Sequence, residues 1–357
     1  MTEKIDIKKV LEEGKPLVDA AIQKYFPRQY DEKSLEFVCG KPRYAYDVDT
    51  ATKAVSAPVW DLLDRGGKRW RPALFLLCCE ALGGDTEKVK DFVVIPEVLH
   101  NGSLMIDDIE DSSELRRGQP CTYKKFGVDV AINAGNCMYF QPVLVFVKNR
   151  GKFPDKILLR AYEIYVQELT NIHYGQGFDI WWHKGNKRDV TEQEYLQMCA
   201  YKTGTLARLS AKLGALFAGG SEKEVEALGK FAEAIGVAFQ IQDDILNLVG
   251  EEFAKGKGVG EDVHEGKHTL IVIHALSKAS ARDKARLIEI LDSHPSDEKT
   301  ILEAIAIFRK YGSIDYAAKR AAEIVREAWN EVDSLLKPSP AKRKLEAFAN
   351  YLIERKI

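Results

Sequence analysis

The chain has 357 residues, 45% hydrophobic and 30% charged, with a formal net charge of −2. That balance is ordinary for a globular protein with a sizeable core; it excludes low-complexity and collagen-like chains and gives no electrostatic reason to expect nucleic acid as a partner. The first residues, Met1-Thr2-Glu3-Lys4, hold no apolar signal core, and no window approaches the roughly 18 uninterrupted apolar residues of a spanning helix, so neither a secretory leader nor a transmembrane segment is expected. Six cysteines (Cys39, Cys78, Cys79, Cys121, Cys137, Cys199) form no Cys-x-x-Cys pair and lie mostly in apolar helical context, which reads as reduced thiols of a cytoplasmic protein.

Residues 1–50 read as an amphipathic helix (Val10, Leu11, Leu17, Val18, Ala21, Ile22) followed by a Pro/Tyr/Asp-rich loop, together covering a bundle. From residue 57 onward apolar residues recur at spacings of three and four, the signature of helices. Gly-Gly-Asp at 83–85, Arg-Gly-Lys at 150–152 and Gly-Gly-Ser at 219–221 punctuate them, as glycine does at helix ends. Strand-like alternation is scarce. The fold expected is all-α: a single large helical bundle over 1–357 with one core and a central cavity.

Three stretches carry chemistry. Gly66-Gly67-Lys68-Arg69-Trp70-Arg71-Pro72 is a cationic cluster opening an apolar helix; Lys68 and Arg71 are expected on its first turn, where the helix N-terminus already favours anions. The apolar run Val93 to Met105 leads into Ile106-Asp107-Asp108-Ile109-Glu110-Asp111-Ser112-Ser113-Glu114-Leu115-Arg116-Arg117-Gly118-Gln119-Pro120. If the helix continues through the acids, Asp107 and Asp111 fall one turn apart on one face. Like charges so placed repel unless a cation sits between them, and Mg²⁺ binds through one or two carboxylates plus substrate phosphates. The arginines behind suit bidentate phosphate recognition. Gln240-Ile241-Gln242-Asp243-Asp244-Ile245-Leu246-Asn247 repeats the acidic pattern at the end of a second apolar run, Leu228 to Ile241. Two such clusters can face each other across a bundle core.

Taken together and in this order, from about Ala57 to Leu276, the stretches resemble the trans-type isoprenyl diphosphate synthases: a G-K-x-x-R-P cluster, a D-D-x-x-D followed by L-R-R-G, and an F-Q-x-x-D-D. The stretch around Asp107 and Asn136-Cys137-Met138-Tyr139-Phe140 most resembles geranylgeranyl diphosphate synthases of fungal and animal type. The resemblance implies an isoprenoid-synthase domain over 1–357, with residues 57–276 as catalytic core and 277–357 as C-terminal helices. It implies condensation of isopentenyl diphosphate with an allylic diphosphate, three Mg²⁺ ions per site, and a homodimer. The metal ligands would be Asp107, Asp108, Asp111 and Asp243, with Asp244 also catalytic. Gly67, Lys68, Arg71, His100 (two helical turns before Asp107) and Arg117 would hold isopentenyl diphosphate, and Arg116 and Lys202 the allylic diphosphate. Thr203 and Gln240 would line the reacting carbons. Gln176 and Asp179 match a segment near the metals, and Lys257 and Lys267 match lysines of a flap, read over Glu252–Lys267, that closes on the diphosphate. Asn247 stands where farnesyl-type members carry Asp.

For product length the resemblance points to the wall of the first acidic helix. Gly102 and Ser103, one turn before Asp107, replace the aromatic floor of short-chain members, while Tyr139, Phe140 and His173 match positions that close the pocket in fungal geranylgeranyl diphosphate synthases. The product expected is C20; farnesyl and longer (C25 and above) products are the alternatives. A non-catalytic subunit of a hetero-oligomeric synthase usually loses an acidic motif, and both are present. A terpene cyclase would lack the isopentenyl site that Lys68, Arg71 and His100 imply. A di-metal oxidase fails because Glu97-x-x-His100 has no second copy.

Overall fold

The computed structural model describes residues 5–249 and 260–353. The expected helices are there. The N-terminal part forms α1 (Ile7–Tyr25), α2 (Glu32–Cys39), α3 (Val48–Ala51) and α4 (Ala57–Leu63). Next come α5 (Trp70–Ala81), α6 (Thr86–Val89), α7 (Val94–Glu110), α8 (Thr122–Phe126), α9 (Val128–Phe140) and α10 (Leu144–Lys148). The long α11 (Asp155–Trp181) leads to α12 (Glu192–Cys199), α13 (Thr205–Phe217) and α14 (Glu222–Val249). After residue 260 the chain forms α15 (Glu261–His264), α16 (Leu270–Lys278), α17 (Ala281–Asp292), α18 (Glu298–Lys310), α19 (Ser313–Leu335) and α20 (Pro340–Ile353). The strands among the described residues are β1 (Leu115–Arg116) and β2 (Gln119–Pro120), an antiparallel pair. The class is all-α.

The N-terminal loop expected after α1 contains a second helix. Asp31 accepts from Ser34 N (2.7 Å) and Ser34 Oγ accepts from Asp31 N (2.8 Å), a reciprocal cap at the start of α2. Only Leu35 of that helix is buried, so its apolar signal is too thin to read by periodicity.

Two compact units are distinguishable: Met1–Tyr165 with Leu209–Val225, and Val166–Arg208 with Glu226–Ile357. In the first, Phe92 gathers the rings of Phe217 (4.2 Å), Phe153 (5.5 Å) and Phe146 (5.7 Å). There α7 lies close against α9 because both carry glycine at the crossing. A Cβ on Gly102 would stand 2.8 Å from Met138 Cβ, and one on Gly135 2.7 Å from Ile106 Cδ1. In the second unit Phe231 meets Trp329 (5.2 Å) over a core of Ile241, Ile271, Phe308 and Phe348.

All six cysteines are free; Cys39 is exposed and Cys78, Cys79, Cys121 and Cys199 are buried. One stretch among the described residues, Val128–Lys148, is long and apolar enough to cross a membrane; half of it is buried in the protein, as a core helix would be.

Candidate active site

In the first unit, the acids sit where the apolar run of α7 ends. Val94 to Leu99 are buried all round, Asn101, Gly102 and Met105 stay buried further along, and His100, Ser103 and Asp107 share a half-open side. Asp111 is the C-cap, and its N–H donates to Asp107 O (2.9 Å), so the two carboxylates do fall one turn apart. The β1–β2 turn brings Arg116 back onto the helix. Its Nε donates to Asp108 Oδ1 (2.7 Å) and its Nη2 to Asp107 Oδ2 (3.3 Å). Burial pushes the Asp108 carboxyl up from its ordinary range, and the Arg116 guanidinium opposes that.

The basic cluster differs from expectation in one respect. α5 starts at Trp70, so Lys68 lies ahead of the helix, exposed, while Arg71 is on its first turn and buried against the Trp70 ring (4.2 Å to the centroid). Between them Arg69 takes a left-handed conformation (φ 51°), uncommon for a side-chain-bearing residue. Arg117 is left-handed too (φ 53°); its Nη1 donates to Gly66 O (2.5 Å) and Leu62 O (3.3 Å). Gly67 is where the guanidinium groups crowd in: a Cβ there would stand 3.1 Å from Arg69 Nη1 and 3.5 Å from Arg117 Nη2. Burial, then the charges of Arg71, Arg117, Arg116 and Arg69, hold His100 well below its ordinary pKa. It is neutral at pH 7, able to donate one hydrogen bond and accept another.

In the second unit the chain of contacts starts at a π-helical turn, Ala200–Gly204, a local distortion often found at functional sites. Lys202 Nζ donates to Asp179 Oδ2 (2.5 Å). Thr203 Oγ1 donates to Gln240 Oε1 (2.8 Å), Gln240 Nε2 to Asp244 Oδ1 (2.9 Å), and Tyr195 Oη to Asp244 Oδ2 (2.6 Å). Three glycines admit this turn. A Cβ on Gly175 would come 2.3 Å from Lys202 N, and one on Gly236 2.6 Å from Gly204 Cα. Asp243 is half-buried beside buried Asp244. Burial and then the neighbouring Asp262 push Asp244 well above the carboxylate range, against Tyr195 and Gln240. Lys267 pairs with Glu265 (2.5 Å) and Asp262 (3.6 Å); burial works against its charge, but Asp262, Glu265 and Asp179 outweigh it and hold the ammonium protonated.

Asn247 has a visible role: its Oδ1 accepts from Asp262 N (3.2 Å). An aspartate there would add a further negative charge beside Asp244 and Asp262, so the neutral amide suits the place. Tyr195 and Asp262 escaped the sequence reading because each acts on the acidic motif from a distant helix. Lys257, and the expected flap up to residue 259, lie outside the described residues; Glu261–His264 is helical.

The donor set fits Mg²⁺. The carboxylates are hard oxygen ligands. Mg²⁺ needs only one or two carboxylates, completed by water and substrate phosphate, whereas structural zinc needs a closed protein shell.

Of the residues expected to set product length, Ser103 is half-buried and Tyr139 buried. The field of Glu110 and Asp107 reaches the Tyr139 hydroxyl, which burial pushes far above the usual phenol range. Phe140 is 72% exposed and His173 exposed, and packing against α9 is enough to account for glycine at 102.

The sequence profile of the polyprenyl synthetase family matches residues 52–308. The chain is 39% identical over 294 residues to the short chain isoprenyl diphosphate synthase of Methanothermobacter thermautotrophicus, covering 82% of this chain and 88% of that protein. It is 39% identical over 276 residues to a geranylgeranyl pyrophosphate synthase of Penicillium canescens, covering 77% and 79%. The crystal structure of geranylgeranyl pyrophosphate synthetase from Pyrococcus horikoshii matches with a TM-score of 0.84 at 32% identity, over 98% of each chain. The cationic cluster and both acidic motifs fall inside the matched span, and the chain belongs to the polyprenyl synthetase family.

Proposed function

We propose that the chain is a Mg²⁺-dependent prenyltransferase that condenses isopentenyl diphosphate with an allylic diphosphate to give geranylgeranyl diphosphate. The observation that carries this reading is the set of guanidinium groups acting on neutral His100 in the first unit. A diphosphate anion is the complement of such a set, and a terpene cyclase, which takes no isopentenyl diphosphate, would need no second diphosphate site.

In this reading Lys68, Arg71, His100 and Arg117 hold the isopentenyl diphosphate, and Arg116 and Lys202 act on the allylic diphosphate. The allylic C–O bond breaks with both electrons leaving on the diphosphate; the isopentenyl double bond attacks the allylic carbon; a proton then leaves to the released diphosphate. Mg²⁺, three ions by the family pattern, would supply charge neutralisation for the leaving diphosphate. By the family pattern Asp107, Asp108 and Asp111 of the first unit and Asp243 of the second would be the residues that bind Mg²⁺. Thr203 and Gln240 present fixed oxygen dipoles to developing positive charge, and their mutual hydrogen bond holds them oriented. No protein nucleophile is needed.

The C20 product is supported by the small half-buried Ser103 one turn from Asp107 on the same helix face, with buried Tyr139 on α9 as the stop. Incubation with labelled isopentenyl diphosphate and each allylic primer, followed by sizing, tests it. A C20 product is expected, shortened to C15 by Ser103→Phe and lengthened by Tyr139→Ala. A wild-type product of C25 or longer sinks the assignment.

We read the two units as one catalytic domain in a cytoplasmic homodimer. Exposed Leu159, Tyr162, Val166, Tyr174, Phe178 and Trp181 recur along α11 at helical spacing, an apolar stripe that a second copy would cover. Sedimentation at micromolar concentration should give twice the chain mass.

A further inference from the structure

Arg117 and Arg116 are neighbours in sequence with opposite surroundings. Arg116 is bound to carboxylates, whereas Arg117 donates to three uncharged oxygens: Gly66 O (2.5 Å), Leu62 O (3.3 Å) and Asn101 Oδ1 (3.2 Å). Its guanidinium is therefore fixed without being neutralised, which is what an anion site requires.

What fixes it can be followed back through the first unit. Asn101 is fully buried and gives its amide N–H groups to Glu97, donating to both Glu97 O (2.8 Å) and Glu97 Oε1 (2.8 Å). With its NH₂ so committed, the amide can offer only its carbonyl oxygen to Arg117; a flipped amide would set donor against donor. The same Glu97 Oε1 accepts from Arg69 Nη1 (2.8 Å) in an ion pair whose members are only 3% and 4% exposed. Arg69 in turn donates through Nε to Asp19 Oδ1 (3.0 Å) on α1, and through Nη2 to Leu63 O (3.1 Å). Those bonds hold a residue whose backbone is otherwise unfavourable. Glu97 has an electrostatic task as well: the guanidinium groups of Arg69 and Arg117 both crowd Gly67, and the carboxylate offsets their repulsion.

We propose that Glu97 and Asn101 are positioning residues for isopentenyl diphosphate, the middle of a relay Asp19–Arg69–Glu97–Asn101–Arg117 through which the N-terminal helix α1 orients the Arg117 guanidinium. The relay rests on the reading of Arg117 as a ligand of that diphosphate. It gives a role to a helix that lies ahead of the family match at residue 52.

Steady-state kinetics on the full chain, varying each substrate separately, tests it. Because a hydrogen bond to a charged group is disturbed, Glu97→Gln and Asn101→Ala should each raise KM for isopentenyl diphosphate about tenfold, with the allylic KM and kcat within about twofold. Asp19→Asn, at the accessible end of the relay, should raise the same KM by about two- to threefold without changing the melting temperature. Arg117→Ala is the reference. If it raises the isopentenyl KM while Glu97→Gln and Asn101→Ala do not, the relay is overturned and the site stands; if Arg117→Ala leaves that KM unchanged, the reading beneath the relay falls with it. Losses in kcat and in both KM values that track a lowered melting temperature would make Glu97 and Asn101 merely structural and overturn the proposal. Should those two variants fail to fold, Asp19→Asn decides: a selective rise supports the relay and no rise overturns it.

Discussion

The chain contains two Asp-Asp pairs at the ends of two long apolar helices, Asp107–Asp108 on α7 and Asp243–Asp244 on α14, and they are not equivalent. In each, the first acid is half-buried and the second buried. The partners differ. Asp108 faces a guanidinium, whereas Asp244 is held by a phenol and a carboxamide. Burial raises both carboxyls, but in the first pair a full positive charge opposes it, while in the second the nearby Asp262 adds to it. The buried carboxyl of the same dipeptide is thus compensated by a guanidinium in one unit and placed under added electrostatic stress in the other. Stress of that kind is relieved by added cations, which a prenyltransferase has to recruit in any case.

The largest expected effect treats the pairs alike. Asp107→Ala and Asp243→Ala should each cut turnover about a thousandfold or more, since several kcal/mol of leaving-group stabilisation is lost. The fold should survive, because removing one of several clustered like charges relieves repulsion. Near wild-type turnover of either variant with Mg²⁺ present would break the assignment of that pair.

The next prediction separates them. Arg116→Gln removes the charge that compensates buried Asp108 and should cost about 3 kcal/mol of stability. Tyr195→Phe removes one neutral donor from Asp244 and leaves Gln240 in place, so about 1 kcal/mol is expected. Denaturant unfolding of both variants checks the order, and a larger loss for Tyr195→Phe would refute the contrast. Between those two in energy, Lys68→Ala and Arg71→Ala should each raise KM for isopentenyl diphosphate about tenfold, about 1.4 kcal/mol, with the allylic KM less affected. An equal loss for both substrates would remove the separate-site assignment.

How much of this could be read in the sequence follows from the range of the forces. The helices were legible because burial repeats along the chain with the helical period, and the acids and bases were legible because ions at the ends of apolar runs have few other uses. What was not legible is set by contacts between distant elements. Gly175 is explained only once Lys202 N is seen against it, and Gly102 only by the α7–α9 crossing. Phe140 adjoins buried Tyr139 yet points to solvent, a distinction the spacing did not make. Asn247 stands in the sequence only as an amide in an acid's place, and its bond from Asp262 N is visible only in the fold. Glu97 reads in the sequence only as half of an incomplete di-metal motif, although it is the hub of a buried network. Arg69 lies between Lys68 and Arg71, and nothing in the local sequence announces its left-handed backbone.

The last effect concerns pH, and its sign follows from the second pair. The Asp262 carboxyl is pushed up from its ordinary 3.8 to about 6, by burial first, against Lys267, with Glu265, Asp179 and Glu261 adding to the rise. A carboxyl whose folded pKa is raised contributes stability that is fully present below the unfolded pKa and is lost as pH rises through the folded one. For Asp262 the loss therefore runs between about pH 4 and pH 6, at no more than about 1.4 kcal/mol per pH unit, and levels off above. Other carboxylates act in the opposite sense: Asp64 and Asp91 are held low by Arg28 and Lys24 and lose stability on acidification. The total profile mixes both signs, so the informative quantity is the difference between Asp262→Asn and wild type, both metal-free. At pH 4 wild-type Asp262 is protonated and resembles the amide, and the melting temperatures should coincide. By pH 7 the variant should be the more stable of the two, since Lys267 keeps Glu265 and Asp179 as partners. A difference that is flat from pH 4 to pH 7, or a variant less stable at pH 7, would show that Asp262 is not under stress and that the two acidic pairs are more alike than their hydrogen bonds indicate.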